Sequence, residues 1–130
     1  MNLSRNKLKI VINRPIGDVF EFTVNPKNTP LWIDSVAHEE ASPLPVDVGT
    51  VYKNRSRTGK QYTFTMTSFK PNDFFEMIAS DKNYHVRYTY KPIDSSTTEM
   101  EYVEWMETGD LDAPFTQDVL EKLKSVMEKS

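Results

Sequence analysis

The spacing of apolar residues along this chain changes several times, and each change marks an element. Over residues 7–13, Leu8, Ile10 and Ile12 alternate with Lys7, Lys9 and Asn13, which predicts a half-buried strand. Pro15 then opens a short helix in which Ile16, Val19, Phe20 and Val24 fall at helical spacing; a proline there gives up an N–H that has no partner in the first turn anyway. Residues 25–32 are rich in turn formers (Asn25, Pro26, Asn28, Pro30) and predict one further helical turn that ends by burying Trp32. Beyond Trp32 the period becomes two: residues 36–42, 50–58, 61–69, 74–80, 84–91 and 97–107 all read as strands. Four of the links between them, 58–60, 71–73, 80–83 and 92–96, are too short for a parallel crossover, which needs about a dozen residues, so the middle of the chain is an antiparallel meander. The link 42–49, with Pro43 and Pro45, is the least regular and is a candidate flap. At the end the helical period returns, with Phe115, Val119, Leu123, Val126 and Met127 as one apolar stripe and Glu121, Lys122, Lys124 and Glu128 opposite. With Asp112 as N-cap and Pro114 in the first turn, a helix over 113–129 would be about 25 Å long. Its stripe must be buried, and the meander is the large surface available. The order strand, two short helices, six strands, long helix is an α+β layer arrangement within one domain, residues 1–130.

Composition narrows the chemistry more than it points to any. Sixteen basic and 19 acidic side chains leave a net charge of −3, so there is no basic excess to follow a polyanion, and no nucleic-acid partner is expected. The absence of cysteine excludes disulfides, zinc–thiolate sites and thiol nucleophiles. The four glycines, Gly17, Gly49, Gly59 and Gly109, are far apart, so no glycine-rich phosphate loop can be built. No metal and no cofactor is expected. No stretch approaches the roughly 20 apolar residues of a membrane span, and residues 1–14 lack the apolar run of a secretory signal, so a cytoplasmic protein without integral membrane association is the expectation. The sequon Asn54-Arg55-Ser56 would matter only in a secretory pathway.

Taken in order, several short motifs add up. Ile10-Val11-Ile12-Asn13-Arg14-Pro15-Ile16-Gly17-Asp18-Val19-Phe20-Glu21-Phe22 runs from a strand into a helix, and Asn25-Pro26 leads to Leu31-Trp32. Val48-Gly49-Thr50-Val51-Tyr52 enters one strand, Phe69-Lys70-Pro71 ends another, and Thr97-Thr98-Glu99-Met100-Glu101-Tyr102 precedes the closing helix. Each is weak alone, but together they span the whole chain and resemble the helix-grip proteins, the SRPBCC, START-related or Bet v 1-like superfamily, closest to its bacterial polyketide cyclase/dehydrase and lipid-transport branch. The resemblance implies a seven-stranded antiparallel sheet wrapped around the C-terminal helix, with a ligand cavity between them. It implies no shared catalytic residues: members bind or process lipids, polyketides, hormones or quinones, and some act on other proteins, so the fold does not by itself give the function.

Strand parity then proposes the lining of such a cavity. Burying Lys53, Arg55 and Arg57 is far more costly than burying Tyr52, Asn54 and Ser56, so the latter set faces inward. Tyr62, Phe64 and Met66 point in against the threonines of their strand, and by the charge argument so do Phe75, Met77 and Ala79, then Tyr84, Val86, Tyr88 and Tyr90. In the last strand Glu99, Glu101 and Glu107 go outward with Val103 and Trp105, which leaves Glu104 inside with Met100, Tyr102 and Met106. A carboxylate so placed can bond a ligand hydroxyl or transfer a proton. A bulge after Tyr102 would reverse this, turning Trp105 inward and Glu104 to solvent. His38 and His85 read as surface histidines, and the outer row Lys53, Arg55, Arg57 as partners for the acidic row of the last strand.

The reading these positions favour is binding of a small hydrophobic or amphipathic molecule, without obligatory chemistry. Its contacts are Tyr52, Asn54, Phe64, Met77, Tyr88, Tyr102, Glu104, Phe115 and Val119, with Trp32 at the mouth. One alternative is a cyclase or dehydratase-like enzyme in which Glu104 exchanges protons, helped by Tyr102 or Tyr52. Another is a protein-interaction module, or a homodimer, built on an exposed outer face around Trp105 and Val103.

Overall fold

The computed structural model describes residues 4–129. Strand β1 (Arg5–Ile12) buries Ile10 and Ile12 and exposes Lys7, Lys9 and Val11, and Pro15 then starts helix α1 (Ile16–Val24), which turns Val19, Phe20 and Thr23 inward. The Asn25 side chain accepts a hydrogen bond from the Lys27 N–H at 3.0 Å and starts a 3-10 turn, Pro26–Asn28, which passes directly into the four-residue helix α2 (Thr29–Trp32). Six strands follow: β2 (Val36–Ser42), β3 (Val51–Ser56), β4 (Gln61–Lys70), β5 (Phe74–Ala79), β6 (Tyr84–Asp94) and β7 (Thr97–Met106). Helix α3 (Gln117–Glu128) closes the chain.

All seven strands form one antiparallel sheet in the order β1-β7-β6-β5-β4-β3-β2. The sheet curls into a half-barrel, α1 packs on β6 and β7, and α3 packs on β1 and α2. The α+β, helix-grip-like architecture expected from the sequence is the one observed. The inner face carries an aromatic core in which Phe75 stacks on Tyr88 with centroids 4.5 Å apart, and Phe20 meets Phe69, Phe75 and Tyr90.

Four local expectations need correction. The last helix is shorter than residues 113–129, because the chain before Gln117 is extended. The Phe115 N–H bonds to Glu104 Oε2 at 2.7 Å and the Phe115 carbonyl accepts from Asn6 Nδ2 at 2.9 Å, so both backbone groups are taken by tertiary partners instead of helical ones. Thr116, not Asp112, stands at the N-cap position. The buried stripe of α3 is Leu120, Leu123 and Met127, while Val119 is only half-buried. Strand β6 runs through Pro92 to Asp94, with an irregular register there, and Asp94 Oδ1 accepts from the Ser96 N–H at 2.9 Å to close the hairpin.

The charged rows also pair differently. β3 and β7 are not neighbours, so the acidic row of β7 meets the lysines of β1: Glu101 Oε2 lies 3.5 Å from Lys7 Nζ and 3.8 Å from Lys9 Nζ. Lys53 stands opposite Glu40 of β2 instead, and Arg57 Nε donates to the Asp34 carbonyl at 2.5 Å. The link 42–49 is tied to the sheet through Thr50, whose hydroxyl accepts from the Asp47 N–H at 3.0 Å and donates to the Pro43 carbonyl at 3.2 Å.

Candidate functional site

The concave face of the half-barrel holds a cavity of about 500 Å³ that is open to solvent on one side. Its walls come from α2, the inner residues of β2 to β7, and Leu111 to Phe115 ahead of α3. No residue of α3 itself lines it. The helix lies over β1 and α2 instead, so the space sits beside the C-terminal helix and not beneath it.

Strand alternation delivers most of the lining. Tyr52, Asn54, Phe64, Met77, Tyr88, Tyr102, Glu104 and Phe115 all border the cavity, each on the inward parity of its strand or on the extended segment before α3. Val119 does not, because it lies on α3 and packs against the core. Trp32 borders the cavity but is not at its mouth: only 2% of its surface is exposed, and its ring stands edge-on to Tyr88 and Phe115 at 6.3 and 6.4 Å. Its indole N–H is buried with no acceptor among the described residues. Tyr62, which is 47% exposed, occupies the rim.

Two carboxyl groups organise the polar part of the wall. The first, Glu104, is 2% exposed. The ladder keeps a regular register through it, with Asn6 opposite on β1 and Val86 opposite on β6, so no bulge follows Tyr102 and the side chain points inward. Glu104 Oε1 accepts from the Tyr84 hydroxyl at 2.7 Å; Oε2 accepts from Asn6 Nδ2 at 3.0 Å and from the Phe115 N–H at 2.7 Å. These three neutral donors satisfy the carboxylate and join β1, β6, β7 and the segment leading to α3. Asn6 and Tyr84 escaped the list of contacts read from the sequence. The signal for Asn6 was present, since the parity that puts Leu8, Ile10 and Ile12 inside carries Asn6 with it.

The second, Glu39, was also missed. Strand β2 is irregular between Val36 and His38, which lets both Val36 and Glu39 face the cavity while His38 and Glu40 face solvent. Glu39 Oε1 accepts from the Thr29 hydroxyl at 2.5 Å, and Oε2 from Asn54 Nδ2 at 3.2 Å. Burial pushes the Glu39 carboxyl above its ordinary value of 4.5, opposed by these two hydrogen bonds and by nearby His38.

Four of the cavity tyrosines are held protonated. Burial raises Tyr52, Tyr84, Tyr88 and Tyr102 above the usual value of 10, and the neighbouring Glu39 and Glu104 charges add to it. Tyr90, deeper in the core, is raised by burial, opposed by its 2.5 Å hydrogen bond with Thr23 Oγ1. None of these phenols is poised to act as a base near neutral pH.

The outer face differs from the open apolar patch expected around Trp105 and Val103. Val103 is 3% exposed, and the His85 ring stacks on Trp105 with parallel planes at 4.8 Å. The Arg5 guanidinium lies 5.9 Å from the Trp105 ring centre, and His85 Nε2 is 2.8 Å from Glu107 Oε2. His85 is thus mostly covered, unlike the exposed His38. Among the described residues, no helix is long and apolar enough to cross a membrane.

A curled seven-stranded antiparallel sheet with short helices after the first strand, a closing helix, and a cavity on the concave face defines a protein of helix-grip-like fold. The chain belongs to the family described as a domain of unknown function, DUF3284, whose model matches residues 33–125. No curated protein matches the sequence significantly. Among solved structures, protein MLL2253 from Mesorhizobium loti is similar over 97% of this chain and 98% of its own, with a TM-score of 0.73 and 12% identity. DR_A0006 from Deinococcus radiodurans is similar over 96% and 95%, with a TM-score of 0.70 and 11% identity. The di-domain ARO/CYC protein BexL from the BE-7585A biosynthetic pathway matches over 78% of this chain, with a TM-score of 0.66 and 9% identity. This chain spans only 35% of BexL. At such identities the likeness is one of fold.

Proposed function

We propose that the protein binds a small hydrophobic or amphipathic molecule, a lipid, a polyketide or a compound of similar size, in the cavity of the half-barrel, and that binding requires no chemistry on the ligand. The observation that carries this reading is the cavity itself: about 500 Å³ inside a domain of 130 residues, walled by aromatic and aliphatic side chains with a few fixed polar groups. A largely apolar concavity of this size, half open to solvent and with a few convergent polar groups, is the usual form of a small-molecule site. The state of Glu104 favours binding over catalysis. Three donors already hold it, and none of them belongs to a cation or to a second acid that would share its proton. BexL, an ARO/CYC protein, shares the fold, which is compatible with either use of the cavity.

The test is thermal unfolding in the presence of flavonoids, aromatic polyketides and fatty acids or alcohols. A ligand at about a hundred times its Kd stabilises by about 2.7 kcal/mol, which for a domain of this size raises Tm by about 5 °C or more. At least one class should do so; a flat response across all of them overturns the proposal.

A further inference from the structure

Charge along the cavity wall has one sign. Among the described residues that line it, the charged side chains are Glu39, Asp81, Glu104 and Asp112, and no lysine, arginine or histidine is with them. Asp81 and Asp112 are exposed and stand at the mouth with Ser35 and Tyr62, while Glu39 is half-buried and Glu104 buried. On the outer face of the sheet carboxylates are met by bases: Glu76 lies 3.3 Å from Arg87 Nη1, and Glu101 faces Lys7 and Lys9. None of the four cavity carboxylates forms an ion pair among the described residues. Two bases close to Ser35 are used elsewhere, since Arg57 donates to the Asp34 carbonyl and Lys122 pairs with the Asp34 carboxylate. Lys60 and Lys82, exposed in the β3–β4 and β5–β6 turns, do not line the cavity.

The N–H groups of Asn83 and Tyr84 hold the Asp81 carboxyl below its ordinary value of 3.8, so the mouth keeps its negative charge. Burial raises Glu39, the direction a carboxyl takes when neighbouring groups do not offset its desolvation. Each Glu39 oxygen takes a single protein hydrogen bond, one from Thr29 and one from Asn54, and so keeps capacity for a further donor. A concave, low-dielectric wall with charge of one sign focuses its field into the space it surrounds. The aromatic rings of the same wall add to this, because their faces attract cations. A ligand carboxylate would bring another negative charge with no cation to meet it, and its desolvation would go uncompensated.

We infer that the cavity selects its ligand by charge: it takes an amphipathic amine, bound as the ammonium ion among these carboxylates with its apolar body along the aromatic wall, and turns away a carboxylate of the same shape. The inference rests on the ligand-binding reading and adds to it the charge of what is bound.

Three probes that share one ring system test it: 2-naphthylmethylamine, 2-naphthylmethanol and 2-naphthoate, measured by calorimetry on the full chain at neutral pH. The amine should bind about ten-fold more tightly than the alcohol, and the carboxylate more weakly than either. Glu39→Gln keeps an acceptor for Thr29 and drops the charge, and should cut the amine-to-alcohol ratio about five-fold. Asp112→Asn, at an exposed position, should cut it about two-fold and keeps the test alive if Glu39→Gln does not fold. Raising sodium chloride from about 20 to about 500 mM should weaken the amine several-fold and leave the alcohol within about two-fold. Wild-type binding of the carboxylate as tight as that of the amine overturns the inference, and so does an amine-to-alcohol ratio that neither variant nor salt changes. Equal binding of all three probes removes the charge selection but keeps the cavity as a ligand site. Failure of all three to bind removes both.

Discussion

Glu104 is a buried carboxylate that no cation meets among the described residues; hydrogen bonds from Tyr84, Asn6 and the Phe115 backbone replace its water. Removing it leaves three buried donors without their acceptor, so Glu104→Ala should destabilise the fold by roughly 3–5 kcal/mol in urea denaturation. Glu104→Gln should cost less, since the amide oxygen still accepts one or two of these bonds while its NH₂ faces a donor. An alanine variant within about 1 kcal/mol of wild type would show that the cluster does not clamp the fold. At this scale the sequence carried half of the answer. Counting carboxylates on each parity put Glu104 inside, but the same residues allowed a bulge after Tyr102 that would have turned it out. The pairing of Glu104 with Asn6, 98 residues away, decides between them. Glu39 was not legible at all, because its inward position depends on an irregularity in β2 that leaves no mark in the alternation.

For the elements, α3 is the informative case. Its period was plain in the sequence, but its start and its rotation were not. The four residues assigned to its first turn are not helical, and Glu104 and Asn6 take the Phe115 backbone groups instead. That loss has a functional consequence, because it is this extended segment, and no residue of the helix, that walls the cavity. The rotation can be checked directly. Leu120 is fully buried and Val119 half-buried, so Leu120→Ala should cost about 2–5 kcal/mol and Val119→Ala under about 1.5 kcal/mol. Equal costs at the two positions would mean that α3 sits differently on β1. The strands were easier to read because a two-residue period needs only the strand itself. β3 to β7 each turn inward the set chosen by the cost of burying charged or polar side chains.

Across the whole molecule, the half-barrel places five of its six tyrosines where burial holds the phenol protonated: Tyr52, Tyr84, Tyr88, Tyr90 and Tyr102. An acid whose pKa is higher folded than unfolded binds its proton more tightly in the native state. Its contribution to stability is therefore complete below the unfolded value of about 10 and is lost as the pH rises above it. The expectation is a steep alkaline unfolding transition in which these five phenols ionise together with the loss of tertiary structure. Absorbance at the phenolate band and near-ultraviolet circular dichroism should trace one coincident transition. Ionisation of most tyrosines well before the tertiary signal is lost would contradict the packing described here.

By itself the sequence determined the antiparallel meander, the inward parity of its central strands, and hence a concave face rich in tyrosine and phenylalanine. These follow from rules that act within a few residues, namely side-chain alternation and the cost of burying a charge. Only the tertiary structure decided that β2 slips its phase to bring in Glu39, that the chain before α3 stays extended, and that the acidic row of β7 meets the lysines of β1. Only it showed a wall whose charges are all acidic and whose tryptophan N–H has no acceptor. Each of these depends on which distant segment supplies a donor, an acceptor or a counter-charge, and such partners exist only once the sheet has curled.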